Sequence, residues 1–459
     1  MTEIVTIETP GLGDRSYLVH DGANALVIDP QRDIDRVLRM VDSLGVSVSH
    51  VFETHLHNDY VTGGLALAER TGARYGVPSG DEVGFERLPV HDGDRLQIGS
   101  LLVTALHTPG HTPNHMSYVV GSADGGPEAV FTGGSMLFGA VGRTDLISAE
   151  RTEELTRAQY RSVRRLAAEL PGRVSVHPTH GFGSFCSATP TSGDSSTIDN
   201  ERGQNLALLT DDEDRFVEQL LAGLTAYPRY YVHMARLNAA GPSAPDLSLP
   251  EPADAGVLRR RLDAGEWVVD LRERRAFAKL HLAGAVSIEL GDPFATYFGW
   301  TLPWDAPVTL IGDSEDQVAG ARRQLVRIGV DRLAGAAIGD IGALAEGRAS
   351  SYRVATYEDL AATMGSSDRV ILDVRAPEEW RERHLVGAVH IPFYDLKDRI
   401  DEVPAGEVWV HCASGLRASI GASMLDRAGR KVVLIDDEWE KASDVGLATE
   451  TASTGRGSS

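Results

Sequence analysis

One stretch of this chain is written twice. Val269-Asp-Leu-Arg272 returns as Leu372-Asp-Val-Arg375, and His281-Leu-Ala-Gly-Ala-Val286 returns as His384-Leu-Val-Gly-Ala-Val389, at a constant offset of 103. A repeat of that length is a folding unit rather than a local accident, so the C-terminal half must hold two like units, each with its own core. Each copy reads as a helix, a buried strand ending in Asp-x-Arg, a His-x-x-Gly-Ala turn, another strand, and a strand followed by a helix. That alternation predicts a parallel α/β sheet. The 459 residues leave room for roughly three domains. The expected division is a large mixed α/β domain at 1–240, the first copy at 253–349, the second at 353–450, and a disordered tail at 451–459. Between the first two, residues 238–254 contain Gly241, four prolines and two serines and read as a linker.

The N-terminal part opens with short strands punctuated by Gly and Asp. A helix is expected from Asp33 to Leu44, where Ile34, Val37, Leu38, Val41 and Leu44 share one face and Gly45 supplies the stop. A second, long helix is expected at Glu150–Leu170. The strand at Val46–Phe52 runs into Thr54-His-Leu-His-Asn-Asp-Tyr60. Imidazoles two apart at a strand end can turn toward one ion, with the neighbouring carboxylate as a further ligand or as a base on bound water. His107-Thr-Pro-Gly-His111 and His177-Pro-Thr-His180 also follow strands, so these histidines can gather on one rim.

Near the C-terminus, Val408-Trp-Val-His-Cys412-Ala-Ser-Gly-Leu-Arg417 is an apolar strand entering a short loop, followed by helical spacing over Ala418–Arg427 and a stop at Gly429. A thiol at a helix N-terminus faces backbone amides and the positive end of the helix dipole, which favours thiolate and prepares a nucleophile. Arg417 adds a cation suited to an oxyanion such as the sulfonate of thiosulfate. In the first copy the offset through this region is 100, which sets Gly312 opposite Cys412 and Gln317 opposite Arg417. That loop has no cysteine nucleophile and carries three acids, Asp313, Glu315 and Asp316, so it reads as a non-catalytic packing copy. Asp270, Arg272, Asp373 and Arg375 read as structural residues that satisfy loop backbone.

The three histidine segments together resemble the metallo-β-lactamase fold, within it the glyoxalase II and persulfide dioxygenase branches. The cysteine loop and the repeated flanks resemble rhodanese sulfurtransferases, whose four residues between Cys and Arg are one fewer than tyrosine phosphatases use to cradle phosphate. The whole chain resembles fusions of persulfide dioxygenase with rhodanese. The resemblance implies an α/β protein: an N-terminal αββα sandwich, then two tandem rhodanese-like domains, the first degenerate. It places His55, His57 and His111 in one site for Fe(II) or Zn(II), with Asp59 and His180 in or near a second. It makes Cys412 the persulfide carrier, with Arg417 beside it and the loop of Ala413, Ser414, Gly415 and Leu416 binding substrate. Two departures lower metal affinity: Phe131-Thr-Gly-Gly134 lacks the expected aspartate, and Tyr60 replaces a histidine. Asp59 or Asp145 is a candidate replacement ligand, and Gly134→Asp is expected to raise metal content. Cys186, with no cation evident beside it, reads as packed rather than reactive.

A formal net charge of -22 disfavours nucleic acid and anionic membranes. No run of 18 apolar residues and no N-terminal leader pattern occur, so the expected compartment is the cytoplasm. Two cysteines rule out a disulfide framework. The expected function is sulfur handling through a Cys412 persulfide, with thiosulfate or a low-molecular-weight persulfide as donor or acceptor and homo-oligomerisation left open. The alternatives are a glyoxalase II-like thioester hydrolase and a non-enzymatic sulfur carrier or scaffold.

Overall fold

The computed structural model describes residues 2–122, 125–189, 191, 193–363 and 368–451; the tail expected to be disordered lies, from residue 452 on, outside them. The chain divides into two compact units: residues up to Asp246 with Gln324–Asp331, and Leu247–Arg323 with the chain from Arg332 on.

The first unit is built on two six-stranded sheets. One follows chain order: β1 (Glu3–Thr9), β2 (Asp14–His20), β3 (Asn24–Ile28), β4 (Ser47–Phe52), β5 (Arg74–Pro78) and β6 (Leu88–Val90). The other contains β7 (Arg95–Ile98), β8 (Leu101–His107), β9 (Met116–Ser122), β10 (Gly126–Gly133), β11 (Ser175–Pro178) and β12 (Ser196–Thr197), in reverse order. Their facing sides share one core, in which Val19, Leu26, Ile28 and Phe52 meet Val103, Tyr118, Val120 and Phe131. The outer side of the first sheet packs Leu18, Ala25 and Val27 against Val37, Val41 and Leu67 of its helices. The second packs Val119, Val130 and Val176 against Tyr160, Val163 and Leu166. This gives the expected αββα order of layers. The helices run Asp35–Leu44, closed by Gly45 at φ 66, and Thr152–Glu169. Strands β3 and β4 are parallel, as are β10 and β11, and β8 points the same way as β10. The segments leaving β4, β8, β10 and β11 therefore emerge on one rim.

In the second unit the duplication is visible pair by pair. The first copy has β13 (Trp267–Asp270), β14 (His281–Leu282), β15 (Val286–Ser287), β16 (Val308–Gly312), β17 (Leu333–Ile338) and β18 (Ala349–Ser350). The second has β19 (Arg353–Ala355), β20 (Arg369–Asp373), β21 (His384–Leu385), β22 (Val389–His390), β23 (Glu407–His411), β24 (Val432–Ile435) and β25 (Thr449–Glu450). The parallel sheets run β15-β13-β16-β17 and β19-β24-β23-β20-β22, and each copy adds a small antiparallel pair, β14 with β18 and β21 with β25. The edge strand β19 survives in the first copy as one parallel bridge, Pro252 to Ala336.

The Asp-x-Arg clamp is also duplicated. Asp270 Oδ1 accepts from the Arg272 amide at 3.0 Å, and Arg272 Nη2 donates to the Leu280 carbonyl at 2.9 Å. Asp373 Oδ1 accepts from Arg375 at 3.0 Å, and Arg375 Nη2 donates to the Arg383 carbonyl at 2.7 Å. Each clamp closes the turn after the central strand and leaves no charge unpaired. Cys412 follows β23, at the carboxyl end of a parallel strand, where open α/β sheets bind ligands.

Candidate functional sites

The rim of the first unit collects His55, His57, His111, His115 and His180, all fully buried, with Asp14, Asp59, Asp29 and Glu53 around them. His55 Nδ1 is bonded to Thr54 Oγ1 at 2.8 Å, so Nε2 is the atom turned inward, 3.2 Å from His180 Nε2. His111 Nδ1 meets the Arg143 carbonyl at 2.8 Å. A carbonyl only accepts, so Nδ1 carries the proton and Nε2 holds a bare lone pair, the tautomer a metal ligand needs. That Nε2 is buried and has no hydrogen-bond partner among the described residues, and the same is true of His57 Nδ1. Burial and the neighbouring His180 hold His111 down to about 3, and burial and His57 keep His55 low, so both are neutral.

The other two imidazoles are set by carboxylates. Burial works against charge on His57, but Asp29 and Glu53 raise it to about 10; its Nε2 lies 3.3 Å from Asp29 Oδ1 and 3.1 Å from Glu53 Oε2. His180 is likewise raised to about 9, against burial, by Asp59 and Asp14, which lie 3.1 and 3.0 Å from Nδ1. The donor set fits a divalent ion that displaces the protons of His57 and His180: His111 Nε2 and His57 Nδ1 are buried without partners among the described residues, and Asp59 is held in its charged form by His180 despite its burial.

Both sequence departures have a structural meaning. Tyr60 stacks on His57 with ring centroids 4.2 Å apart, and its hydroxyl meets His57 Nε2 at 3.0 Å and donates to the Asp29 carbonyl at 3.2 Å. It fastens His57 in place instead of adding a ligand. At Gly134 a Cβ would lie 2.2 Å from His111 Cδ2, so the His111 ring fills the space of the missing carboxylate. A side chain at residue 134 would have to displace the His111 ring, which counts against the expectation that Gly134→Asp raises metal content. Asp145 is no substitute ligand either, because both its oxygens accept from Arg143, at 2.7 and 2.8 Å.

His107 and His177 turn away from the cluster, toward the Pro113 carbonyl and Ser175 Oγ. His115, which the sequence reading passed over, stacks against His55 at 5.0 Å and accepts from the Gly134 amide at 3.0 Å. Its signal was its place in the same loop as His111. Cys186 also belongs here. It is buried, its thiol is pushed up by burial, Asp59 and Asp14, and the Arg143 guanidinium acts on it in the opposite direction. Burial and the raised thiol bear out the expectation of a packed rather than reactive cysteine, while Arg143 is a nearby cation that the sequence did not reveal. A cavity of about 660 Å³ bounded by Asp14, Arg15, Phe182, Ser184, Phe185 and Thr225 opens beside this segment.

In the second unit Cys412 lies three residues before the N-cap of helix Leu416–Arg427, and the Gly415 amide donates to its sulfur at 3.2 Å. Gly415 adopts φ 90, and a Cβ there would lie 2.1 Å from Asp436 Oδ1, so conformation and space both require glycine. The loop is pinned by the Trp439 amide donating to the Ala413 carbonyl at 2.8 Å and by the Tyr357 hydroxyl donating to the Cys412 carbonyl at 3.2 Å. Ser414 is exposed, while Ala413 and Leu416 are half-buried. Arg417 differs from expectation: both its Nη atoms donate to Glu379, Nη1 at 2.5 Å and Nη2 at 2.8 Å. It is a fixed positive charge, already paired, rather than a free fork for an oxyanion. Beside the loop, Arg375, Glu379, Arg383, Ala413 and Trp439 border a cavity of about 230 Å³. The first copy braces this loop: Arg274 Nε donates to Asp436 Oδ1 at 2.7 Å, and Arg275 bonds the other oxygen.

Two family models match the chain. Residues 10–180 match the family model of the metallo-beta-lactamase superfamily, and residues 356–444 match the rhodanese-like domain. The chain belongs to the metallo-beta-lactamase superfamily and carries a rhodanese-like domain. This superfamily member is 32% identical over 168 residues to the hydroxyacylglutathione hydrolase of Methylobacillus flagellatus, covering 36% of this chain and only 61% of that one. It is 26% identical over 247 residues to the human mitochondrial persulfide dioxygenase ETHE1, covering 54% of this chain and 83% of that one. A crystal structure of a metallo-beta-lactamase from Staphylococcus aureus superposes with a TM-score of 0.66 at 26% identity, covering 74% of this chain and 99% of that one. Among the described residues no helix is long and apolar enough to cross a membrane.

Proposed function

We propose that this protein is a sulfur-handling enzyme that carries sulfane sulfur as a persulfide on Cys412 and processes a thiol-linked sulfur substrate at a metal centre on the histidine rim. The observation that carries the reading is the Gly415 amide aimed at the Cys412 sulfur from the foot of a twelve-residue helix. That arrangement stabilises a sulfur anion. With thiosulfate as donor, the Cys412 thiolate attacks the outer sulfur; the new S–S bond forms as the old one breaks, and sulfite leaves with the bonding pair. An acceptor thiolate then attacks the sulfane sulfur, and Cys412 departs as the thiolate. The Arg417–Glu379 pair fixes the shape of the pocket while Arg417 offsets negative charge beside the sulfur.

At the rim, His55, His57, His111, Asp59 and His180 would hold iron(II) or zinc(II). Such an ion supplies Lewis acidity and, as iron, redox chemistry with dioxygen. The similarity to persulfide dioxygenase supports oxidation of a low-molecular-weight persulfide there. Thioester hydrolysis at a binuclear centre is the weaker reading, because Tyr60 stands where a second-site histidine is expected and fastens His57 instead. The net charge of -22 supports small-molecule sulfur partners over nucleic acid or an anionic membrane.

The test is made on one preparation of the full chain: transition-metal content, and the mass of the protein after exposure to thiosulfate. Wild type should gain one sulfur atom and Cys412→Ser none. An unchanged gain in the variant would sink the sulfur-transfer reading, and protein purified without iron or zinc would sink the metal reading.

A further inference from the structure

Cys186 stands on the histidine rim and has no part in the chemistry above. It follows His180 by six residues in Gly181-Phe-Gly-Ser-Phe-Cys186, and its backbone is held at both ends. The Cys186 amide donates to Ser184 Oγ at 3.2 Å, and the Cys186 carbonyl accepts from the Arg143 amide at 2.8 Å. Arg143 also accepts, through its carbonyl, the Nδ1 proton of His111. One residue thus sets both the thiol and the imidazole. In consequence the donor atoms of His111, His180 and Cys186 lie within 4.8 Å of one another, and all three residues are fully buried.

A second observation points to a ligand. His111 Nε2 is a buried lone pair with no partner among the described residues. Leaving such an acceptor unsatisfied forfeits the hydrogen bond it had with water in the unfolded chain. The rim is also one anion short, since Gly134 brings no carboxylate and leaves no room for one. Thiolate is the anionic ligand that, with imidazole, suits zinc, iron and cobalt.

We propose that Cys186 is a metal ligand, joining His111 and His180 and supplying the negative charge that residue 134 does not. This rests on the reading of the rim as a metal site. When the ion binds, the S–H proton and the proton on the metal-facing nitrogen of His180 leave to solvent and the sulfur binds as thiolate, so the thiol adds one negative charge to the site. The class of ion that follows is a thiophilic divalent transition metal, in preference to magnesium or manganese.

The experiment titrates cobalt(II) chloride into metal-stripped, full-length protein and reads the absorption spectrum. Wild type and Cys412→Ser should both develop the intense near-ultraviolet thiolate-to-cobalt band; in Cys412→Ser the sole remaining thiol is Cys186. Cys186→Ser should lose that band, keep weaker visible bands from its histidines, and bind cobalt about 10- to 100-fold more weakly, on the scale seen for groups that tune metal sites. Cobalt bound without the thiolate band in Cys412→Ser, or a band that persists in Cys186→Ser, overturns Cys186 as a ligand and leaves the metal site standing. No cobalt uptake by wild type overturns both. Should Cys186→Ser fail to fold, the Cys412→Ser spectrum decides alone.

Discussion

The two copies in the second unit start from the same strand order and the same clamps, yet their loops have opposite characters. In the second copy Cys412 is held under the Gly415 amide, with Arg417 anchored to Glu379. In the first, Gln317 turns back on its own loop: its Oε1 accepts from the Asp313 amide at 2.8 Å and its Nε2 donates to the Leu271 carbonyl at 3.0 Å. The loop is filled from within. Glu315 stands opposite Gly415 and begins helix Glu315–Arg327, so the left-handed residue that shapes the second cradle has no counterpart. A framework fixed by strand pairing can thus hold or lose a nucleophile, because the chemistry depends on a few residues after one strand.

Turning the second loop into the first should have the largest effect. Cys412→Gly combined with Arg417→Gln is expected to reduce thiosulfate-dependent sulfur transfer by about a thousandfold or more, as loss of a nucleophile does; steady-state rates on protein with unchanged circular dichroism check it. Gly415→Ala comes next. A side chain forced to φ 90 against Asp436 should destabilise the second unit by about 1–3 kcal/mol, read from denaturant midpoints.

Glu379→Gln should act more gently and through pH. Burial opposes charge on Glu379, but Arg417 more than compensates and holds its carboxyl below the usual range. The pair therefore stabilises fully above the unfolded carboxylate value of about 4.3, and that contribution is lost as pH falls through the lower folded value. The variant should show a flatter acid limb in a stability-against-pH curve, and an unchanged limb would remove the pair from the account. The smallest effect is expected from the reverse graft. Gly312→Cys with Gln317→Arg should gain no measurable sulfur transfer in a Cys412→Ser background, since Glu315 still denies the loop its left-handed turn; turnover there would show that the nucleophile alone makes the site.

Much of this was legible in the sequence because it is local or periodic. The offset of 103 carried over into strand pairings, clamps and the bonds of His281 and His384 to the carbonyls of Phe277 and Trp380. The helix expected at Ala418–Arg427 begins two residues earlier, at Leu416, because Gly415 can cap it from the left-handed region. What was not legible joins residues far apart in the chain. That Asp14 faces His180, or that Cys186 faces His111, follows from which strand ends share a rim, not from spacing. The glycine at 134 announced a missing carboxylate, but only the packed structure shows His111 in its place. The sequence shows Arg417 five residues after the thiol, but its partner Glu379 lies 38 residues away, in the helix that follows the neighbouring strand.

Asp436 carries a consequence for how such a duplicated protein can change over time. Its buried carboxylate belongs to the second copy, yet its two oxygens are satisfied by Arg274 and Arg275 of the first. A gene that lost the first copy would leave that charge stranded against Gly415. Two hydrogen bonds from the first copy thus tie the packing of the second copy's cysteine loop to the presence of the first, so the two halves of the duplication are inherited as one unit.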